Sequence, residues 1–148
     1  MKKIILLLFL LIIPNIANSA CDDPLKDGVE YTNCRFSDGQ DLQGSYLPNS
    51  NLSFGTFPES TFVRANLYES VLVGANFEKT NFTGANLTRA DFMGSTLIEA
   101  NFQNANLMEA NFTNSNMTNA NFDGANLIGA TWTSGETCGP ESIGLCNK

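Results

Sequence analysis

At 148 residues the chain allows one domain once any targeting segment is set aside. A formal charge of −7 argues against nucleic acid as a ligand and for a well-solvated surface. Histidine is absent and no short CxxC occurs, so the usual zinc frameworks are missing, and no metal or cofactor is expected.

The chain opens on Lys2 and Lys3, an unbroken apolar run from Ile4 to Ile13, and then the small residues Ala17, Ser19 and Ala20. That order predicts a secretory signal peptide over residues 1–20, cut after Ser19 or Ala20. The run is too short to span a bilayer, and nothing later is apolar for the ~20 residues a span needs, so no membrane span is expected. The expected location is outside the cytoplasm, periplasmic or extracellular. A lipoprotein tethered through Cys21 is the alternative, although Asn18 stands where a lipoprotein signal carries Leu. Losing Lys2 and Lys3 takes the formal charge from −7 to −9.

From Leu42 to Trp132 an apolar residue stands at every fifth position, nineteen in succession. Two residues before each lies a small one, as in Ala65, Ala85, Ala105 and Ala125; only Gln40, before the first, is large. A spacing of five fits neither the helical period of 3.6 nor the strand period of 2. Within a unit, however, the small and the large residue are two apart, so both face one side of an extended segment while the residue between them, usually Asn, faces outward. The last two residues, polar or Gly, make a bend. A chain that bends after every short side must coil, and stacked coils satisfy one another's backbone groups at ~4.8 Å.

Residues stacked in successive coils should match in type. At a spacing of twenty, Leu47, Leu67, Leu87, Leu107 and Leu127 form one column, and Phe62, Phe82, Phe102 and Phe122 another, headed by Leu42. A spacing of fifteen mixes Leu and Phe everywhere, so four sides per coil are expected. Four large side chains then fill the lumen, leaving the second inward position room only for Ala, Ser, Thr or Gly. Outside, Asn66, Asn86, Asn106 and Asn126 are expected to form one amide ladder and Asn81, Asn101 and Asn121 another. Glu69, Arg89 and Glu109 share a column, as do Glu59, Lys79 and Glu99, each with the cation between two anions.

Units such as Ala85-Asn86-Leu87-Thr88-Arg89 and Ala125-Asn126-Leu127-Ile128-Gly129 resemble the A-(N/D)-L-x-x pattern of the pentapeptide-repeat family over residues 40 to 134. The fold class expected is therefore all-β, a right-handed quadrilateral parallel β-helix of about five coils, the handedness being implied by the resemblance. The expected division is a signal peptide over 1–20, an N-terminal cap over 21–35, the β-helix over 36–134 and a C-terminal disulfide cap over 135–148. Phe36 lies six residues before Leu42 rather than five, which leaves the first register open. Four cysteines allow three pairings; a rigid rod that holds its ends apart favours Cys21 with Cys34 and Cys138 with Cys146. At the C-terminal end, Ile143 or Leu145 is expected to fold over Trp132.

The acidic residues are spread along the rod rather than paired, so an enzyme is not expected. Asn-x-Ser/Thr triplets at Asn51, Asn81, Asn86, Asn111 and Asn116 arise wherever Ser or Thr follows a core residue, and are read as by-products of the repeat. The expected partner surface is apolar and outward-facing: Tyr68, Met108 and Ile128 in one column, Val73 and Met93 on the next side. Two functions follow. The first is a non-catalytic binding or scaffold module of the cell envelope, taking a protein or a glycan, as a monomer or an end-to-end dimer. The second, implied by cytoplasmic members of the family, is an acidic rod that mimics DNA and binds a topoisomerase-like protein; export argues against it.

Overall fold

A computed structural model describes residues 30–35 and 39–148. The expected signal peptide, Cys21 and Phe36 lie outside the described residues. Each unit forms one extended residue flanked by bends, and each extended residue bridges in parallel to the residue twenty positions on, from Asp41 with Thr61 to Asn111 with Thr131. The sides are too short for more than one bridge apiece, so the sheets consist of isolated bridges stacked into columns. Four columns close a square.

Side I carries the leucine column from Leu47 to Leu127. Side II carries Tyr31, Leu52, Leu72, Phe92, Phe112 and Trp132, side III Phe57, Phe77, Leu97 and Met117, and side IV Leu42, Phe62, Phe82, Phe102 and Phe122. The first coil holds one residue more than the others, since Glu30 pairs with Asn51 and Arg35 with Thr56, both twenty-one apart. The extra residue falls between Arg35 and Asp41, which resolves the irregular spacing before Leu42. Residues 30–35, expected within the N-terminal cap, already run parallel beneath the next coil, with the Tyr31 ring buried in the lumen.

Three backbone bonds per unit join the coils: Asn66 N–H donates down to Ser45 C=O at 2.8 Å, and Leu47 and Asn49 N–H donate up to Asn66 and Tyr68 C=O at 2.7 and 2.8 Å. At the corners Ala90 N–H donates to Leu87 C=O at 3.0 Å, closing a turn whose third residue, Arg89, has φ +58°. All eighteen corners from Gly44 to Gly129 share this left-handed position, the mark of a type II turn. Twelve of them are not glycine and include Glu, Lys, Arg and Phe, each costing about 1 kcal/mol of backbone strain. The outward Asn offsets that strain, because its Oδ1 accepts the N–H two residues on, as in Thr83 N–H to Asn81 at 3.0 Å and Ile128 N–H to Asn126 at 3.2 Å.

This duty alters the amide ladders expected from sequence. The asparagines stack, but among the described residues a side-chain amide bond between coils joins only Asn86 to Asn66, at 3.1 Å, within those two columns. The remaining Oδ1 atoms serve their own corners. The Asn-x-Thr triplets acquire a structural reason as well: Thr83, Thr88, Thr113 and Thr118 hydroxyls donate to Oδ1 of the Asn two residues back at 2.6–2.8 Å.

The lumen is filled by rings. Phe62, Phe82, Phe102 and Phe122 stack with centroids 5.0–5.1 Å apart, and perpendicular contacts at about 6 Å tie this column to Phe77, Phe92 and Phe112. Each coil from Leu52 onward carries two phenylalanines and two aliphatic residues. Phe57 and Phe77 supply the second ring on side III, and from Phe92 onward side II supplies it instead. The mixed columns are therefore one column of rings that changes side, with lumen volume held constant. Small inward residues also place their hydroxyls, Ser70 donating to Leu47 C=O at 2.8 Å and Thr80 to Phe57 C=O at 2.7 Å.

At the C-terminal end the chain reverses. Thr137 pairs antiparallel with Thr131 and Ile143 with Asn126, so the segment from Glu136 to Gly144 lies along sides II and I of the last coil. Trp132, Gly129 and Leu127 N–H groups donate to Glu136, Cys138 and Ser142 carbonyls at 2.7–2.9 Å. The Cys138–Cys146 disulfide closes this segment. Backbone, not side chain, makes the cover: Ile143 and Leu145, expected over Trp132, are instead exposed. At the other end Cys34 is buried and disulfide-bonded.

Candidate functional site

The outward row that follows each core residue lies where the sequence places it, and of the expected partner surface Tyr68 is engaged by its neighbours. Tyr68 is half-buried; its hydroxyl donates to Glu69 at 2.8 Å and accepts from Arg89 at 3.3 Å. Arg89 in turn bridges Glu69 at 3.1 Å and Glu109 at 2.7 Å, so this charge column forms as expected. The Tyr68 hydroxyl and Arg89 hold the Glu69 carboxyl below the usual carboxylate range, and Arg89 is held firmly protonated by its two carboxylates. The second expected column does not form: among the described residues Glu59, Lys79 and Glu99 make no ion pair. Met108 and Ile128 are half-buried along the same corner as Tyr68.

The surface that stands free is the corner between sides II and III. Met93 is 41% exposed there and Val73 is half-buried beside it. Two residues that the sequence reasoning did not single out complete the patch. Phe54, 57% exposed, occupies the third position of its turn at φ +57°, the only aromatic at that left-handed position among the described residues. Its N–H donates to Val73 C=O at 2.9 Å, and its ring lies flat on the next coil, so that a Cβ added at Gly74 would meet ring carbons at 2.7 Å. Val71, 38% exposed, sits at the outward position of side II that Asn usually fills. Gly74 and Gly94 open the space beside the ring, with Gly74 N–H donating to Met93 C=O at 2.9 Å.

Phe54, Val71, Val73 and Met93 are thus brought together over three successive coils, while Tyr68, Met108 and Ile128 lie around the neighbouring corner. Tyr46, 63% exposed, stands apart on side I. The missed residues had a signal, since Phe54 and Val71 break the polar habit of two positions that the repeat keeps outward. The patch is shallow, and among the described residues there is no cavity, no cluster fit to hold a metal and no helix long and apolar enough to cross a membrane. Such a surface offers side-chain contact rather than chemistry.

A family model described as pentapeptide repeats matches residues 60–97 and 97–131, in eight copies. No curated protein matches the chain. Among solved structures, the chain is 23% identical to HetL from the cyanobacterium Nostoc sp. strain PCC 7120, a pentapeptide-repeat protein involved in regulating heterocyst differentiation, covering 70% of this chain and 46% of that one at a TM-score of 0.40. It is 22% identical to Rfr23 from the cyanobacterium Cyanothece 51142, covering 70% and 90% at a TM-score of 0.34. A pentapeptide-repeat protein of the Arabidopsis thaliana thylakoid lumen is 27% identical, covering 70% and 68% at a TM-score of 0.29. The chain spans less than half the length of HetL. Pentapeptide-repeat proteins fold as right-handed quadrilateral β-helices. With every fifth residue in the lumen, four sides per coil and the repeat model matched from Ser60 to Thr131, the chain belongs to the pentapeptide-repeat family.

Proposed function

We propose that this chain is a non-catalytic binding module that works outside the cytoplasm and docks a protein of the cell envelope on the corner formed by Phe54, Val71, Val73 and Met93. The observation that carries the reading is Phe54: a bulky ring held exposed on a left-handed corner costs about 1 kcal/mol that Asn or Gly would avoid. The other strained corners carry Asn or the charged residues Glu, Lys and Arg, whereas Phe54 alone places an exposed apolar ring under that strain, which supports selection for contact rather than for stability. A protein is favoured over a glycan because the patch is aliphatic and aromatic, with a flexible Met that adapts to an apolar partner. The export half of the reading is supported by the Lys2-Lys3 and Ile4–Ile13 pattern and by the Cys138–Cys146 disulfide, a bond that persists in oxidising compartments. The DNA-mimic alternative is not favoured, because Arg89 interrupts an acidic column where a phosphate-like row would need continuous negative charge.

The test is a Phe54→Asn, Met93→Asn double variant of the mature protein, which should fold as well as the parent and lose capture of its envelope partner. A Tyr46→Asn control on side I should retain capture. Undiminished capture by the double variant refutes the assignment of the corner. Export is tested separately by fractionating cells that produce the full chain.

A further inference from the structure

The C-terminal cap covers only half of the last coil. On sides I and II the reversed segment accepts the outward N–H groups of Leu127, Gly129 and Trp132. On sides III and IV, among the described residues, the N–H groups of Met117, Asn119, Phe122 and Gly124 and the carbonyls of Ser115 and Ala120 have no backbone partner. The matching groups one coil below are all bonded. Met117 and Phe122 are half-buried, whereas the lumen residues from Leu47 to Phe112 are fully buried. One further unit on each of the two sides would fill the gap, but the chain reverses after Ser134 and covers sides II and I instead.

We propose that this slot takes an extended segment of a different protein, added as a strand along side III, bent once and continued along side IV. The chemistry of the occupant follows from the groups left open. Alternating backbone donors and acceptors are met by peptide backbone, the mode in which a strand is added to a free sheet edge. The register is that of the coil below, where Asn116 N–H donates to Ser95 C=O at 2.9 Å, Leu97 N–H to Asn116 C=O at 2.7 Å and Glu99 N–H to Thr118 C=O at 2.9 Å. On side IV, Asn121, Phe102 and Asn104 N–H repeat the set. The incoming outward residue therefore donates its N–H to Ser115 C=O and accepts from Met117 N–H, and the residue two further on accepts from Asn119 N–H. Five residues later the same pattern engages Ala120, Phe122 and Gly124.

The side chain after each outward residue descends on Met117 or on Phe122, so the occupant carries two apolar residues five apart. Phe122 already stacks on Phe102 at 5.0 Å, and a ring at the second position continues that column. Charge disfavours a second copy of this chain, because Glu99, Asp123 and Glu141 stand exposed at this end and Lys148 is taken up by Glu136. The residue after the second apolar one lies directly above Asp123, one strand spacing of ~4.8 Å away. Asp123 has no ion pair among the described residues, so a Lys or Arg in the occupant complements it.

The probe is the peptide of residues 95–104 carrying Gln103→Lys, which presents Leu97 and Phe102 five apart and sets its lysine above Asp123. Added to the protein, it should slow hydrogen exchange at Met117, Asn119, Phe122 and Gly124 and leave Leu127 and Gly129 unchanged. N-methylation of the peptide at Thr96 and Asn101 removes both of its donors and should weaken binding at least about tenfold. Asp123→Gln in the protein adopts the residue one coil below in the same column, and should weaken the lysine peptide about threefold at low salt. Phe54→Asn should bind the peptide as well as the parent does, which separates this slot from the docking corner. No binding at about 1 mM peptide, or equal binding after N-methylation or Asp123→Gln, overturns the proposal. So does protection of the same four amides in concentrated protein without peptide, since a second copy would then hold the slot.

Discussion

The ring column that changes side offers a quantitative test of how the lumen is packed. Phe92 stacks on Phe112 at 5.2 Å and meets Phe82 and Phe102 edge-on at 5.9 and 5.8 Å, while Leu97 stands one side further on at the same level. Phe92→Leu removes the stack and leaves a void, costing about 1.5 kcal/mol. Leu97→Phe puts a third ring into a coil built for two and costs about 2 kcal/mol by overpacking. The double variant restores two rings per coil and recreates the arrangement of Leu72 and Phe77 immediately below, with the new ring stacking on Phe77. It should therefore cost only about 1.5 kcal/mol, a coupling of about 2 kcal/mol favouring the pair. Urea unfolding of the parent, both single variants and the double variant measures that coupling. Costs that add to within about 0.5 kcal/mol would show that lumen volume is not conserved coil by coil and would refute the reasoning.

Ala85→Phe should cost about 3 kcal/mol or more where Leu87→Phe costs less, because only the second enlarges a site built for a large group; equal melting temperatures would contradict the inward assignment. Gly74→Ala should destabilise by about 1–2 kcal/mol, since it adds strain at φ +63° and drives a methyl into the Phe54 ring, and Phe54→Asn in the same chain should recover part of that loss. Replacing Cys138 and Cys146 by Ser removes about 2.5 kcal/mol of loop-closure stabilisation and should expose the amides of Leu127, Gly129 and Trp132 to hydrogen exchange while those of Leu87 and Leu107 stay protected. Glu69 is held below its ordinary value of 4.5, so its pairing with Arg89 stabilises the fold above that pH and is lost as pH falls through the lower folded value. Glu69→Gln should accordingly flatten a small acid-limb step in a melting-temperature profile, and an identical profile would show that the exposed network contributes nothing.

The architecture was legible because the repeat is long and strict. One large inward residue in every five, together with matching types every twentieth, determined the side length, the number of sides and the small lumen position, and the Cys138–Cys146 loop fell at the end of the last coil. The extra residue near Phe36 was visible as a break in spacing, but only the pairing of Glu30 with Asn51 showed that the stack continues below it. Side-chain roles were less legible because they depend on competition for one atom. Asn Oδ1 could serve either a ladder or its own corner, and the corner N–H, two residues away and covalently positioned, wins at nearly every level. Tyr68 looked like a free apolar group by position, yet its hydroxyl found Glu69 and Arg89. Phe54 and Val71 were missed because attention to the row after each core residue ignored the other outward positions. Ile143 and Leu145 were expected inside on hydrophobicity, whereas the last coil first needs acceptors for its N–H groups, and backbone supplies them.

The most direct test of the docking corner is site-specific photo-cross-linking in cells producing the full chain, with a photoreactive residue placed at Met93 or, for comparison, at Asn106 on side I. A discrete envelope-protein adduct from position 93, absent from position 106 and lost when Phe54→Asn is added, is the predicted result. Adducts formed equally from both positions, or an adduct at 93 indifferent to Phe54, would contradict it.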